Sequence, residues 1–323
     1  MPETFLAPAA PAPIDPSYRP KKSIITAPAT APVEYILSII ARDGGVILKD
    51  LVSAEELASI DQELRPWSDR QRRHADETAK LNGDAFYTIP RQTVLVPGLV
   101  GKSDTIASIC EHPVLEQLRQ HILQDKFNVY REDWADPNTI NPLLSLSVSM
   151  NIGYGAPRQR LHRDDNVHGI RHPKPEDWSF KHASQFGCLI AGCDVTRENG
   201  ATMFVPGSHK WDDQRWATPQ EDDVCFAEMS AGSALIFLAS AFHGGGHNSV
   251  PNSVRTMHSL FFVRGTLRTE ENQFLAIPRS KVMKMSPKML ELLGYTKPTS
   301  ALGIVENISP HEDLEGIWAK VMQ

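Results

Sequence analysis

The sequence LSLSVSMNI, residues 144–152, places apolar residues at every second position, with serine or asparagine between them. Such alternation is typical of a half-buried β-strand with one apolar and one polar face, because successive side chains point to opposite sides of the backbone. The stretch QRLHRDD, residues 159–165, follows after a turn that contains glycine and proline. Residues two apart on extended backbone point the same way, so we expect His162 and Asp164 to converge on one point. A metal ion is the candidate for that point.

A third ligand candidate follows a later strand pattern. The run ALIFL, residues 234–238, predicts a strand, and His243 stands shortly after it, before three glycines. Two histidines and one carboxylate form the facial triad that suits Fe(II) in oxygenases and leaves coordination positions open. A His-x-Asp pair alone is also typical of solvated loops, so the interpretation depends on the third ligand, for which His247 and His258 compete with His243. The glycine run does not indicate a phosphate loop, because no helix pattern follows it.

Four motifs together resemble one known family. They are QRLHRDD (159–165), RENGATMFVPGSHKW (197–211), FHGGGHN (242–248) and the Arg255 that follows. As a set they resemble the phytanoyl-CoA dioxygenase family of Fe(II)/2-oxoglutarate oxygenases. The resemblance is strongest to the fungal branch that tailors secondary metabolites such as meroterpenoids and indole or quinolone alkaloids. It extends from about Glu34 to the C-terminal ALGIVENISPHEDL, residues 301–314.

The resemblance implies a metal centre and a reaction class. In the family, Fe(II) is held by the residues that correspond to His162, Asp164 and His243, and His243 has the family's position before a Gly-rich turn. The cosubstrates are 2-oxoglutarate and O2, and the cosubstrate products are succinate and CO2. The resemblance also implies a homodimer in which C-terminal segments help close the neighbouring pocket.

The resemblance also implies a set of cosubstrate residues. Arg255 matches the position that binds the far carboxylate of 2-oxoglutarate, a task that suits a guanidinium because it can form a bidentate pair. Gln159 and Thr202 match positions that donate hydrogen bonds to the cosubstrate, although either residue can instead be structural. Arg91 is a weaker candidate for the near carboxylate, since only some relatives have an arginine there.

Composition argues against several other classes of protein. The 323 residues are 41% hydrophobic and 22% charged, which is ordinary for a soluble globular protein. A net charge of −6 does not favour nucleic acid or an anionic membrane surface as a partner. No apolar run approaches the ~20 residues of a membrane helix, and the N-terminus lacks the pattern of a secretory signal. The four cysteines are too few and too scattered for a disulfide framework, Cys188 and Cys193 are expected to be buried, reduced thiols because they lie in an apolar run, and the default location is the cytosol.

The chain is expected to have one tail and one domain. Residues 1–32 are rich in proline and alanine, which predicts a disordered or polyproline-II tail. Residues 33–323 are expected to form a single domain, mainly β with flanking helices, built as a jelly roll (double-stranded β-helix). A capping box at Ser53 and Glu56 begins a helix that runs to about Leu64. The segments Arg65–Asp84 and Asn166–Ser184 are expected to be loops, the second a solvated lid.

Three functions remain open at this point. The first is oxidation of an apolar polycyclic secondary metabolite by hydroxylation, desaturation, rearrangement or endoperoxidation. The second is hydroxylation of an acyl-CoA, and the third is an inactive jelly-roll binding protein. The complete triad together with Arg255 argues against the third. The acyl-CoA is disfavoured because the chain is acidic and its one basic cluster, residues 70–74, is flanked by acids, whereas CoA phosphates need concentrated positive charge.

Overall fold

The alternating stretch forms most of one long strand, Leu143–Gly153, in the largest sheet of a computed structural model of the chain. The structure describes residues 10–74, 90, 92–218, 223–299 and 302–314. Three serines of the strand are buried, and Ser147 Oγ accepts a hydrogen bond of 2.9 Å from the backbone N–H of Leu99. The small polar face is therefore covered by protein, and the other face lines an internal cavity with Leu146, Val148, Met150 and Ile152.

The first helices of the described chain lie among the first strands, strands dominate the middle of the chain, and three short helices follow the last strand. The strands are β1 (Thr26–Pro28), β2 (Gly45–Lys49), β3 (Thr93–Pro97), β4 (Asp125–Tyr130), β5 (Ala135–Ile140), β6 (Leu143–Gly153), β7 (Gln185–Ala191), β8 (Met203–Phe204), β9 (Cys225–Phe226), β10 (Ala234–Leu238), β11 (His243–Gly244) and β12 (Val254–Val263). The helices are α1 (Val33–Asp43), α2 (Ala54–Arg73), α3 (Asp104–Cys110), α4 (Pro113–Ile122), α5 (Gln273–Ala276), α6 (Arg279–Val282) and α7 (Pro287–Leu292). Within this described part of the chain, no helix combines the length and the apolar character needed to cross a membrane.

The strands form a large and a small sheet that enclose the core. The large sheet has seven strands in the order β1-β2-β10-β7-β12-β6-β3, and the small sheet has the order β11-β8-β9. Apolar residues of both sheets, among them Leu189, Phe204 and Phe237, pack into one buried cluster. Strands β4 and β5 form a separate two-stranded pair. This arrangement confirms the predicted fold class, mainly β with flanking helices and built as a jelly roll.

The helices cover the opposite face of the large sheet. Residues of α1 such as Ile36 and Ile40 share one buried cluster with Ile60 of α2 and Leu115 of α4. The same cluster contains residues of the sheet, including Phe262 of β12. The sheet therefore has a helical side, which is closed by apolar packing, and a cavity side, which faces the small sheet.

Helix α2 is longer than the sequence predicts. Its capping box at Ser53 and Glu56 is present as expected, but the helix continues through Pro66 to Arg73. A proline in a helix interior removes one backbone hydrogen bond and usually ends or kinks the helix. Here the turn that follows Pro66 is supported by side chains, since the cationic groups of Arg70 and Lys102 lie 5.5 and 5.0 Å from the ring centroid of Trp67. The prediction of a loop from Arg65 is therefore wrong as far as Arg73, and residues 75–84 of that loop lie outside the described part.

The N-terminal segment packs on the body from residue 10 onward, which differs from the predicted disordered tail. Strand β1 pairs in parallel with β2, and the backbone N–H of Ile47 donates to the carbonyl of Ile25 at 2.9 Å. Ala27, in the middle of β1, is only 1% exposed. Ile14 and Tyr18 contact a third apolar cluster, around Met203. The few apolar residues among the prolines of residues 10–32 are therefore those that contact the folded body, whereas residues 1–9 lie outside the described part.

A single charge on β1 is expected to destabilise the protein. Ala27→Asp places a carboxylate at a position that is almost fully buried among apolar residues, and we expect the free energy of unfolding to fall by about 3 kcal/mol. Thr26→Asp is the matched control, because Thr26 neighbours Ala27 on the same strand and is exposed. Denaturant unfolding of both variants checks the prediction. Equal stability of the two would mean that the segment does not pack on the sheet in solution.

Two buried histidines are expected to make the fold sensitive to acid. Burial lowers the pKa of His209 to about 3 and that of His258 to about 4. Since an unfolded histidine has a pKa near 6.5, the unfolded chain binds protons that the folded chain does not. Their contribution to stability is therefore complete above about pH 7 and is lost as pH falls below 6.5, by about 1.4 kcal/mol per pH unit for each residue.

Unfolding between pH 6.5 and 5 checks this prediction. His209→Gln is expected to reduce the slope of stability against pH in that window by the contribution of one histidine. His121→Gln, at an exposed position, is the control and is expected to leave the slope unchanged. An unchanged slope in His209→Gln would contradict the prediction.

Candidate metal centre

The backbone itself brings the two candidate histidine ligands together. His162 and His243 form an isolated antiparallel bridge, in which the N–H of His162 donates to the carbonyl of His243 at 2.9 Å and the reverse bond measures 3.0 Å. His243 belongs to β11, which pairs with β8 of the small sheet. The ring centroids of the two histidines are 4.6 Å apart. Their separation is thus fixed by main-chain pairing between segments that are distant in the sequence.

Asp164 completes a triad that fits a metal ion. One ligand atom from each of His162, Asp164 and His243 lies within 4.8 Å of the others. The Nε2 atoms of the two histidines are 3.4 and 3.2 Å from the two carboxylate oxygens of Asp164. Each Nδ1 lies near a backbone carbonyl, that of Arg160 at 2.8 Å and that of Ala241 at 3.1 Å. Such second bonds place the proton on Nδ1, so that both Nε2 lone pairs face the metal position.

The charge of Asp164 is stabilised despite its burial. Burial alone would raise the pKa of this carboxyl, but His243 and His162, when their Nε2 atoms carry the protons that a metal ion would displace, hold the pKa below its usual value. A carboxylate that stays ionised is ready to bind a cation. The donor set of two imidazoles and one carboxylate matches what Fe(II) takes in the facial-triad class.

The two competing histidines lie away from this point. His258 is on β12 between Met257 and Ser259, on the opposite face of the strand from Arg255 and Met257. The Nδ1 atom of His247 lies 2.8 Å from the carbonyl of Ala156, outside the triad. Among the described residues, the structure brings together His162, Asp164 and His243 as the group with metal-binding spacing.

Arg255 presents a buried cation beside the triad. The residue is 3% exposed and lines the same cavity as the three candidate ligands. Its Nε and Nη1 atoms are buried and have no hydrogen-bond partner among the described residues. Burial lowers the pKa of the guanidinium to about 10, which leaves the group charged at neutral pH. A charged guanidinium with unsatisfied donors fits a ligand carboxylate, because a buried polar group otherwise pays a large desolvation cost.

The other cosubstrate candidates have different positions. Gln159 and Thr202 both line the cavity. The side-chain oxygen of Gln159 accepts from the N–H of Gly245 at 2.7 Å, so this residue also has a structural task. Arg91 lies outside the described residues. Arg264, the arginine that directly follows β12, does not offer its guanidinium to the cavity in the same way, since it donates to the carbonyls of Ala183, Phe180 and Ile122.

The three glycines after His243 allow close approach of backbone to backbone. A Cβ atom on Gly246 would lie 2.5 Å from the carbonyl oxygen of Ala201, and one on Gly244 would lie 3.0 Å from that of Arg160. Side chains at these positions would push apart the segments that carry His162, Thr202 and His243. The close packing of backbone segments around the metal site therefore explains why glycines stand at these positions.

An ionic network centred on the buried His172, which the sequence did not reveal, fixes the segment next to Asp164. His172 lies with Nε2 3.1 Å from Asp165 and with Nδ1 2.7 Å from Asp213. Burial opposes protonation of His172, but its hydrogen bonds to the two carboxylates raise its pKa. Arg163 donates to the carbonyl of Trp211 at 2.7 Å and lies 4.5 Å from the ring centroid of Phe242. The predicted solvated lid is therefore wrong at His172, which is buried and anchors the residues next to Asp164.

The cavity above the triad is predominantly apolar. It measures about 320 Å³ and is lined by β6 and β12 through residues such as Met150, Ile152, Met257 and Phe261. The triad and Arg255 line it, and among the described lining residues Glu270 is one further carboxylate. No motif or periodicity in the sequence marks Glu270 as a site residue.

Comparison with known proteins supports this assignment of class. Residues 40–257 match the family described as phytanoyl-CoA dioxygenase (PhyH). Dioxygenase swnH1 of Arthroderma benhamiae is 52% identical over 95% of this chain and 97% of its own length. Dioxygenase swnH2 of the same fungus is 44% identical, over 96% of each chain. The chain therefore belongs to the phytanoyl-CoA dioxygenase family, which confirms the resemblance to its fungal branch, and it is an Fe(II)/2-oxoglutarate-dependent dioxygenase.

A solved structure shows the same fold at low sequence identity. It is HygX from Streptomyces hygroscopicus with nickel and 2-oxoglutarate bound, which is 14% identical and aligns with a TM-score of 0.52. The alignment covers 74% of this chain and 90% of that chain. At this identity the likeness concerns the fold alone, and the site must be argued from the residues of this chain.

Proposed function

We propose that the protein oxidises an apolar polycyclic secondary metabolite, a meroterpenoid or alkaloid intermediate, with His162, Asp164 and His243 as its iron ligands. The observation that carries the proposal is the buried guanidinium of Arg255, whose Nε and Nη1 have no hydrogen-bond partner among the described residues and which lines the same apolar cavity as the triad. When bound, iron and 2-oxoglutarate supply the oxidising chemistry, and succinate and CO2 are released. Hydroxylation, desaturation, rearrangement and endoperoxidation are all compatible with this set of residues.

Different residues would bind the metal, the cosubstrate and the substrate. The triad would hold the metal through two Nε2 atoms and one carboxylate. Arg255 would bind the far carboxylate of 2-oxoglutarate through the donors that have no protein partner, and Gln159 and Thr202 would add hydrogen bonds from the cavity wall. Arg91 stays a prediction for the near carboxylate. The apolar wall would exclude water and position the C–H bond of the substrate.

The cavity supports a free apolar substrate over an acyl-CoA. Its wall offers aliphatic and aromatic side chains together with a carboxylate, Glu270, which would repel phosphate. In the basic cluster, Arg70 lies against Trp67 and Arg72 lies 3.8 Å from Asp69. Because these two arginines already interact with Trp67 and Asp69, less positive charge is available for the phosphates of CoA.

Succinate formation tests the proposal. The iron-loaded protein and 2-oxoglutarate are incubated with a branched acyl-CoA and, separately, with polycyclic terpenoid and alkaloid intermediates. We expect substrate-coupled succinate only with the polycycles. Coupled oxidation of the acyl-CoA alone would overturn the assignment of substrate, and absence of iron binding would instead favour a binding protein.

The extent of the domain, its location and its oligomeric state are proposed from the family resemblance and from the composition. Residues 33–323, together with the N-terminal segment that carries β1, would act as one catalytic domain in the cytoplasm, and two copies would form a homodimer. Neither nucleic acid nor a membrane is proposed as a partner. The mass of the purified protein in solution tests the dimer.

A further inference from the structure

The carboxylate of Glu270 is the one charged group of the cavity wall, among the described lining residues, that neither the triad nor cosubstrate binding uses. The residue follows β12, where the chain turns back over β6. Its backbone N–H lies 3.1 Å from Ser145 Oγ, and the N–H of Glu271 donates to the carbonyl of Ser145 at 2.8 Å. The position of the Glu270 side chain is therefore fixed by main-chain contacts to the strand that forms the cavity wall.

Among the described residues, one oxygen of the Glu270 carboxylate accepts hydrogen bonds from the protein and the other does not. Oε1 accepts hydrogen bonds from Gln185 Nε2 at 2.8 Å and from Ser145 Oγ at 3.1 Å. Gln185 is buried, so this donor is itself held in place. Within the described part of the chain, neither a hydrogen bond to Oε2 nor a lysine or arginine paired with Glu270 is found. The arrangement orients a carboxylate and leaves one oxygen for a ligand.

Desolvation and neighbouring groups act in opposite directions on the carboxyl of Glu270. Glu270 lines the cavity and is exposed as a residue, yet its carboxyl is partly desolvated by the surrounding protein, which raises its pKa, while the hydrogen bond from Gln185 lowers it. The charge of Asp164 raises that pKa further, while His168 lowers it. A cation bound at Oε2 would compensate for this desolvation, whereas a second anion would not.

We propose that Glu270 binds a protonated amine of the substrate, so that the enzyme acts on a cationic alkaloid-type polycycle and discriminates against neutral terpenoid frames of the same size. The inference rests on the proposed function, because it names the substrate class of the same cavity. An amine on an apolar ring system complements both the apolar residues of the cavity and the Glu270 carboxylate. Its rings contact the apolar residues of β6 and β12, and its ammonium group donates a hydrogen bond to Oε2. Glu270 thereby fixes the orientation of the rings relative to the metal.

A matched pair of ligands tests the proposal. Adamantan-1-amine is protonated at neutral pH and adamantan-1-ol is not, while their compact polycyclic frames are the same. Calorimetric titration of the protein loaded with iron and 2-oxoglutarate, without oxygen, measures both affinities. We expect the amine to bind roughly 10- to 100-fold more tightly than the alcohol, the range of a hydrogen bond to a charged group. Equal affinities would overturn the proposal.

Two variants separate the charge of Glu270 from its structural contacts. Glu270→Gln keeps an oxygen that accepts from Gln185 and Ser145 and removes the charge, so we expect the preference for the amine to disappear while the affinity for the alcohol is retained. Glu271→Gln is the control, because the neighbouring carboxylate is not among the residues that line the cavity and interacts with Gln273 and Lys102 instead. Persistence of the amine preference in Glu270→Gln, or its loss in Glu271→Gln, would refute the assignment.

The binding readout also separates this inference from the proposed function. If the protein prefers the amine through Glu270 but forms no succinate in oxygen with any substrate, the proposed catalysis fails and the cation site stands. If succinate forms only with neutral polycycles and the amine preference is absent, catalysis stands and the cation site fails.

Discussion

Asp164→Ala is expected to abolish substrate oxidation and to weaken iron binding by more than 100-fold. Loss of a residue that merely supports a metal ligand typically costs about 10- to 100-fold in affinity or activity, and loss of a ligand itself costs more. Asp164 is also the only carboxylate of the triad. Without it, two neutral imidazoles remain to bind a divalent cation. His162→Ala and His243→Ala are expected to have the same direction of effect.

The fold should survive this substitution. The bridge between His162 and His243 is made by backbone atoms, and it does not require the carboxylate of Asp164. Iron content after reconstitution, succinate formation and the circular dichroism spectrum are measured on the same preparations. Asp177→Ala, at an exposed position in the segment that follows, serves as the control. Near-wild-type turnover in Asp164→Ala would refute the ligand assignment.

Arg255→Ala is expected to raise the 2-oxoglutarate concentration needed for half-maximal activity by roughly 30- to 1000-fold, corresponding to about 2–4 kcal/mol. The cause is the loss of a charge-assisted pair in a site where the guanidinium has no other described partner for Nε and Nη1. Arg255→Lys keeps a positive charge but loses the planar fork, so its effect should be intermediate. Binding of 2-oxoglutarate to the metal-loaded variants checks both values.

Arg264 provides the contrasting case. Because it donates to backbone carbonyls near the end of α4 and forms an ion pair with Asp125, Arg264→Lys is expected to lower stability and to leave the 2-oxoglutarate requirement unchanged. If the requirement rises in the Arg264 variant and not in Arg255→Ala, the cosubstrate role belongs to Arg264.

Local patterns predicted those features that depend on short-range geometry. The alternation in residues 144–152 predicted strand β6, and the spacing of His162 and Asp164 predicted their convergence, because both follow from the two-residue period of extended backbone. The place of His243 required the resemblance to a family, since the bridge to His162 joins distant segments. The buried serine face of β6 was not predictable from alternation, which is the same whether water or a helix covers that face.

Features that arise from long-range contacts were missed. Composition predicted disorder for residues 10–32 because prolines dominate there, but a few apolar residues such as Ala27 suffice when a sheet edge offers backbone pairing. Pro66 was expected to end a helix that neighbouring packing in fact sustains. His172 and Glu270 have no sequence pattern of their own, because their partners Asp213 and Gln185 come from other loops and strands.

The backbone pairing of His162 with His243 should allow iron to leave and return without refolding. The reciprocal hydrogen bonds set the distance between the two imidazoles by contacts that contain no metal. Chelation would therefore remove the ion from a scaffold that keeps its shape, and the entropy of arranging these two ligands is already included in the folding of the chain. A preparation stripped of iron should regain its full activity within the mixing time of added Fe(II), and its thermal unfolding should depend on the metal only through mass action.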